Sequence, residues 1–397
     1  MLTRRTKGLT IAGVMVAGLT AAGLTAAGTF AASALAAPAH QQSYPRYTVK
    51  QVLNGTKLSH VNSKTGKKEA LTDPDDITQY NGDLYTAFQN GVGPQGQASS
   101  SGNLDSTVVE FTPAGSVVAQ WDVRGKCDGL TANPATGEVI ATVNEDANSS
   151  IYSIEPGGQL IHYAYNEALP HKGGTDAISF YKGTMLVSAS APGTSGAAAP
   201  QPSYPAVYAV TLNQTTKVAT VKAYFYDESS ARVANNPGGL GADVKLALTD
   251  PDSNEVVPKG VPRWSGDFLL TSQGDKEQIY SSQPGSLWVL KLSQSVDDTV
   301  FPTAPLGAVY ATDPASDTVD SVDGGAFWPD SAFVAVTPCA ANNASSTCTT
   351  PNYLGQLNEV TGQITAVTLT GANLQPQGMT FLANGQQPTG VLPPGSR

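Results

Sequence analysis

Short stretches in which apolar and polar residues alternate dominate the chain. In DDITQYNGDLYTAFQ, from Asp75, the alternation runs on both sides of an Asn-Gly pair. A period of two broken by Asn-Gly predicts two antiparallel strands joined by a tight turn. The same unit returns as DGLTANPATGEVIATVN from Asp128, DAISFYKGTMLVSASA from Asp176 and DGGAFWPDSAFVAVTP from Asp323. A degraded copy, DVKLALTDPD, starts at Asp243 and reaches its partner strand GDFLLTSQ after an insertion, and a sixth copy opens at Gln377 with QGMTFLANGQQPTGV. Between the copies lies a second hairpin type, such as STVVEFTPAGSVVAQWDV and SSIYSIEPGGQLIHYAY, turning at PAGS and PGGQ. No amphipathic helical period separates the strands. Two hairpins per repeat make a four-stranded antiparallel unit, the building block of a propeller.

Six inner hairpins need six outer ones, and the last inner hairpin lies close to the end of the sequence. The segment YTVKQVLNGTKLSHVNSKTGKKEAL, near the front, supplies the missing strands. The expected fold is therefore all-β: a six-bladed β-propeller of four-stranded antiparallel blades over residues 46–392, its ring closed by the N-terminal strands, with a short tail at 393–397. The blade motif combines small residues, a short NG or TG turn and an L-x-[VT]-[AS] strand. It resembles the six-bladed NHL, SMP-30 (gluconolactonase) and streptogramin-lyase-like propeller superfamily over nearly the whole segment. Asp often stands where NHL repeats commonly carry a Pro-x-Gly-Ile anchor.

The front of the chain changes the setting. Arg4, Arg5 and Lys7 precede the uncharged run IAGVMVAGLTAAGLTAAGTFAASALA, which ends in Ala34-Leu35-Ala36. A basic start, an apolar core and a small-residue exit predict a signal peptide at 1–36 and a linker at 37–45. Export follows by the general secretory route, with a twin-arginine route open through Arg4-Arg5, and the expected location is extracellular. Such a compartment permits disulfides, and PCAANNASSTC predicts a Cys339–Cys348 bridge, leaving Cys127 as a buried small apolar residue. The net charge of −10 argues against nucleic acid or anionic lipid, both of which need clustered basic residues. The expected partner is a small molecule or an extracellular protein, taken up by a monomer that makes no membrane contact once the signal is cut.

Candidate chemistry follows from the repeat. The residues opening each copy, Asp75, Asp128, Asp176, Asp243, Asp323 and Gln377, are expected around the channel mouth. Gln89, Asn144, Glu145 and Gln273, from the ends of the second strands, are expected beside them. One reading makes each aspartate a holder of its own turn. The other makes the oxygens a ligand-binding set, with Ca²⁺ or another divalent cation as the cofactor they would suit. The resemblance implies two catalytic alternatives. In SMP-30-like lactonases a metal is held by Glu with Asn and Asp partners, for which Asp128, Asn144 and Glu145 supply the residue types. The family's leading Glu is absent, because Asp75-Asp76 stands there. Streptogramin lyases use histidine, and His171 is the matching candidate for a catalytic base. No G-x-S-x-G, H-E-x-x-H or phosphate-binding loop occurs. The leading expectation is an exported binding propeller acting at the channel mouth, ahead of the metal-dependent hydrolase and the lyase.

Overall fold

A computed structural model describes residues 46–170, 174–190, 204–235, 239–328 and 331–384. The expected signal segment, linker and tail, and His171, lie outside the described residues. Among the described residues there is no α-helix, and no helix is long and apolar enough to cross a membrane.

In chain order, β1 (Tyr47–Asn54) precedes a small separate hairpin, β2 (Ser59–Val61) and β3 (Lys68–Ala70). Three consecutive four-stranded antiparallel units follow. The first is β4 (Pro74–Tyr80), β5 (Asp83–Phe88), β6 (Asp105–Phe111) and β7 (Val117–Arg124). The second is β8 (Cys127–Ala132), β9 (Val139–Val143), β10 (Ser150–Ile154) and β11 (Leu160–Tyr165). The third is β12 (Ile178–Tyr181), β13 (Thr184–Ser188), β14 (Pro205–Asn213) and β15 (Val218–Tyr226). A short parallel pairing of β11 with β15 joins the second and third units at their outer strands. The turn chemistry matches the sequence: Asn81-Gly82 and Lys182-Gly183 all have positive φ, the backbone a two-residue type I′ hairpin requires.

After β16 (Ser230–Val233) and β17 (Asp243–Lys245), which add to an outer edge, comes β18 (Pro251–Val256) with β19 (Phe268–Ser272), β20 (Glu277–Gln283) and β21 (Ser286–Lys291). The next unit is interrupted. Its inner strand β22 (Val296–Val300) pairs with β25 (Ala332–Val336), which continues through β26 (Tyr353–Leu357) to β27 (Ile364–Ala366). Between β22 and β25 the chain makes β23 (Gly307–Asp313) and β24 (Thr318–Asp323), which belong to a different sheet. That sheet runs from β29 (Met379–Ala383) through β23 and β24 to β1, with β28 (Leu369–Gly371) alongside β1. The N-terminal strand thus joins the sheet that contains the last strand. It does so through β23 and β24; of the strands expected from the N-terminal segment to complete the last blade only β1 joins that sheet, while β2 and β3 pair apart from it.

Strands β4, β8, β12, β18, β22 and β29 each touch the next, and β29 returns to β4. Apolar side chains of one unit pack on the face of its neighbour; Tyr85, Ala87 and Val108, for instance, bury against Leu130, Val139 and Tyr152. Each large side chain so buried contributes about 1.5–3 kcal/mol. These seams hold the inner strands around a common space. The disulfide Cys339–Cys348 is present, with its Cα atoms 5.4 Å apart. Cys127 is buried and unbonded to sulfur, and its thiol is pushed up by burial.

Candidate functional site

Four of the six inner strands begin in the same way. The pairing register slips between Pro74 and Ile77, Cys127 and Leu130, Pro251 and Asn254, and Val296 and Thr299. A bulge re-aims the side chain of its extra residue. Here the re-aimed residues are Asp75, Asp128, Asp252 and Asp297, and Asp176 and Gln377 stand at the matching place before β12 and β29. All six line a single cavity of about 420 Å³, together with Glu145 and Gln273.

The residue after each of these does a different job. Asp76 accepts from its own strand's Ile77 N (2.7 Å) and, across the seam, from Leu130 N of β8 (2.6 Å). Asp298 does the same with Thr299 N (2.7 Å) and Met379 N of β29 (2.6 Å). Other seams use hydroxyls: Thr142 donates to the Asp176 carbonyl and Ser188 to that of Asp252, both at 2.5 Å, and Ser253 donates to the carbonyl of Asp297. Thr312 donates to the Asp75 carbonyl and brings the series back to β4. At Gly129 and Gly378 these approaches leave no room for a side chain, since a Cβ would fall 2.3 Å from Asp176 O and 2.5 Å from Asp75 O. Turn-holding and seam-stitching are therefore done by Asp76 and Asp298. The carboxyls of Asp75, Asp128 and Asp297 are turned elsewhere.

Each of those three receives a glutamine. Gln377 donates to Asp75 Oδ1, Gln89 to Asp128 Oδ1 (3.0 Å) and Gln273 to Asp297 Oδ2 (2.9 Å). Asp176 adds to the upward shift of Asp252, so these two carboxyls lie close enough to disfavour each other's charge. Burial raises Asp128 and Asp176 well above the usual carboxylate range, and Glu145 and Asp128 respectively add repulsion. Asp75 is raised by burial, against the pull of Lys126. Asp252 is raised by burial and by Asp297; Asp297 itself is pushed to about 8 by burial and by Asp298. Asp298 reaches about 7 through burial, and Asp250 about 6 through burial and Asp275.

A single basic side chain forms ion pairs with this set among the described residues. Lys126 Nζ lies 2.7 Å from Asp128 Oδ1 and also bonds Glu145 Oε1. Burial alone would pull the ammonium down, but Asp128, Glu145 and Asp75 together raise it, so Lys126 stays charged. Two residues apart along an extended chain, Lys126 and Asp128 share a face. That spacing is the signal in RGKCD that could have flagged Lys126 from the sequence.

Two expected members lie elsewhere. Asp243 is exposed on the edge strand β17, with its carboxylate 3.6 Å from Arg232 Nε. Asp323 ends β24, a mid-sheet strand, and its carboxylate is 2.8 Å from Lys50 Nζ. Their places in the cavity lining are taken by Asp252 and Asp297. Asn144 serves its own loop, with Oδ1 accepting from Lys126 N (3.0 Å) and Nδ2 donating to Asn148 O (3.1 Å). The trio Asp128, Asn144 and Glu145 therefore does not form a metal-binding set: the amide faces the loop and the lysine ammonium bridges the two carboxylates. Among the described residues no group of three or more His, Cys, Asp or Glu side chains converges on a metal position.

No family model and no curated protein matches the chain. It is similar to a streptogramin B lyase at 13% identity and a TM-score of 0.40, covering 84% of this chain and 91% of that one. It is similar to the periplasmic gluconolactonase of Pseudomonas aeruginosa at 13% identity and a TM-score of 0.42, covering 85% and 99%. An inactive virginiamycin B lyase variant from Staphylococcus aureus, solved with quinupristin, gives 10% identity and a TM-score of 0.40 over 85% and 96%. The chain is a β-propeller. That conclusion comes from the four-stranded units and their neighbouring inner strands, because likeness at these TM-scores decides neither fold nor chemistry.

Proposed function

We propose that the chain is an exported binding protein, a closed six-bladed propeller whose channel mouth takes a positively charged ligand without catalysing a reaction. The blade count rests on the six inner strands bordering one cavity, and closure rests on the seam bonds that run from β4 round to β29 and back. Export rests on the signal-like segment at 1–36.

One observation carries the functional reading. Asp75, Asp128, Asp176, Asp252 and Asp297 line one cavity, and Lys126 is the ion-pair partner the described residues provide for them. Buried like charges destabilise a fold unless protons or cations neutralise them. A fold that repeats the arrangement in five of its six units gains from a cation in that cavity. The misfit of the metal trio disfavours the lactonase-type reading. The lyase reading depends on His171, outside the described residues.

The melting temperature of the chain from residue 37 onward tests this, measured with Ca²⁺, Mg²⁺, spermidine and neutral sugars at equal ionic strength. A cation that raises the wild-type value but not that of Asp252→Asn/Asp297→Asn supports the reading. A rise with neutral sugars and none with any cation contradicts it.

A further inference from the structure

We propose that the ligand is a small organic molecule with a primary ammonium group on an alkyl chain, bound where Asp176, Asp252 and Asp297 meet the cavity. This rests on the reading of the mouth as a cation receptor and names the class of cation.

The mouth already holds one such group. Lys126 brings an ammonium to Asp128 and Glu145, so carboxylates here take a tetrahedral hydrogen-bond donor. The load is uneven, however. In the circuit of inner strands β22 lies three steps from β8, and the arc of β12, β18 and β22 carries Asp176, Asp252 and Asp297 with no ion pair to a described lysine or arginine. A second ammonium placed there would do for this arc what Lys126 does for the other.

The unsatisfied atoms ask for the same chemistry. Asp128 and Asn254 are both more than nine-tenths buried and border the cavity; Asp128 Oδ2 and Asn254 Oδ1 have no hydrogen-bond partner. The Asn254 amide is fixed, because its Nδ2 donates to Ala177 O (2.6 Å) and to Ser188 Oγ (3.2 Å), which leaves the acceptor free. On the arc in question the free atom is Asn254 Oδ1, an amide acceptor, and a buried acceptor calls for a donor. A bare metal fits poorly. Ca²⁺ needs six to eight oxygens at about 2.3–2.6 Å, whereas no described group of carboxylates converges in that way. The cavity of about 420 Å³ has the size of a small-molecule site. Past the aspartates it is bordered by Ile77, Leu130, Ile178 and Met379, which suit an alkyl chain.

Isothermal titration calorimetry at pH 7 on the chain from residue 37 onward tests the class directly, with hexylamine, 1,5-diaminopentane, tetramethylammonium and CaCl₂ as probes. The two primary amines should bind, and tetramethylammonium, which has charge but no N–H donor, should bind at least about tenfold more weakly. Asp252→Asn/Asp297→Asn should weaken the amines at least about tenfold while its melting temperature stays at or above wild type, which separates lost binding from lost folding. Tighter binding of Ca²⁺, with displacement of the amine, would leave the cation receptor standing and overturn the amine. Amines bound equally by wild type and variant would place them elsewhere and overturn it too. No binding by any cation would remove both readings.

Discussion

Asp297→Asn should make the protein more stable at pH 8 and change it little at pH 4. Asp297 has a folded-state value of about 8, against about 3.9 in an unfolded chain. The folded protein therefore keeps a proton that the unfolded chain releases as pH rises from about 4 to about 8. Across that window rising pH favours unfolding by about 1.4 kcal/mol per pH unit, so about 5 kcal/mol is lost by pH 8. Asparagine has the same shape and carries no charge. Its Oδ1 can still accept from Gln273, which now donates to Asp297 Oδ2 at 2.9 Å. Removing the charge also relieves Asp252, for which Asp297 is the largest charged contributor to the upward shift. Urea unfolding followed by tryptophan fluorescence at pH 4, 6 and 8 measures the effect. The variant should gain a few kcal/mol on wild type at pH 8, with the two curves meeting near pH 4. A variant less stable than wild type at pH 8, or one with an unchanged pH slope, would refute the argument that Asp297 is held neutral by burial and by its acidic neighbours.

Lys126→Met should cost about 3–5 kcal/mol at pH 7, because it leaves the buried Asp128 without its ammonium, and the same urea experiment reads it. Asp176→Ala should not lower the melting temperature at pH 8, since burial and the neighbouring Asp128 disfavour the charge of that carboxyl and the substitution removes it; a clear drop would show that it holds its own turn. Reducing Cys339–Cys348, which are nine residues apart, should remove about 2–3 kcal/mol, seen as a lower melting temperature with reductant. Starting the chain at Ser59 removes β1 and exposes β24 as a free edge, so the truncated protein should aggregate at concentrations where the longer chain stays monomeric; scattering would show it.

Much of the scaffold could be read from alternation and turns. Asp75, Asp128 and Asp176 could each be placed, because each lies at the start of an inner strand whose partner strand is close in sequence, and Gln377 because the small-residue motif follows it directly. Asp252 and Asp297 were hidden by insertions. Eleven residues separate β18 from β19, so the turn that marks a hairpin elsewhere is missing. Between β22 and β25 an entire hairpin of another sheet intervenes, and the Asp-rich end of β24 imitates the repeat's opening. A signal was nevertheless present. LTDPD occurs at 71–75 and again at 248–252, and Asp-Asp stands second and third in the strand at both 75–76 and 297–298. The division of work between adjacent carboxyls was not legible. Whether Asp75 or Asp76 stitches the seam depends on a bulge, and a bulge is set by pairing between strands and not by the local alternation.

The most direct test of the proposed binding site is a crystal structure of the chain from residue 37 onward soaked with 1,5-diaminopentane. The account predicts a nitrogen within hydrogen-bond distance of carboxylate oxygens of Asp252 and Asp297, with Lys126 still bridging Asp128 and Glu145. A diamine bound only outside that site, or a metal ion bound by these aspartates in its place, would contradict it.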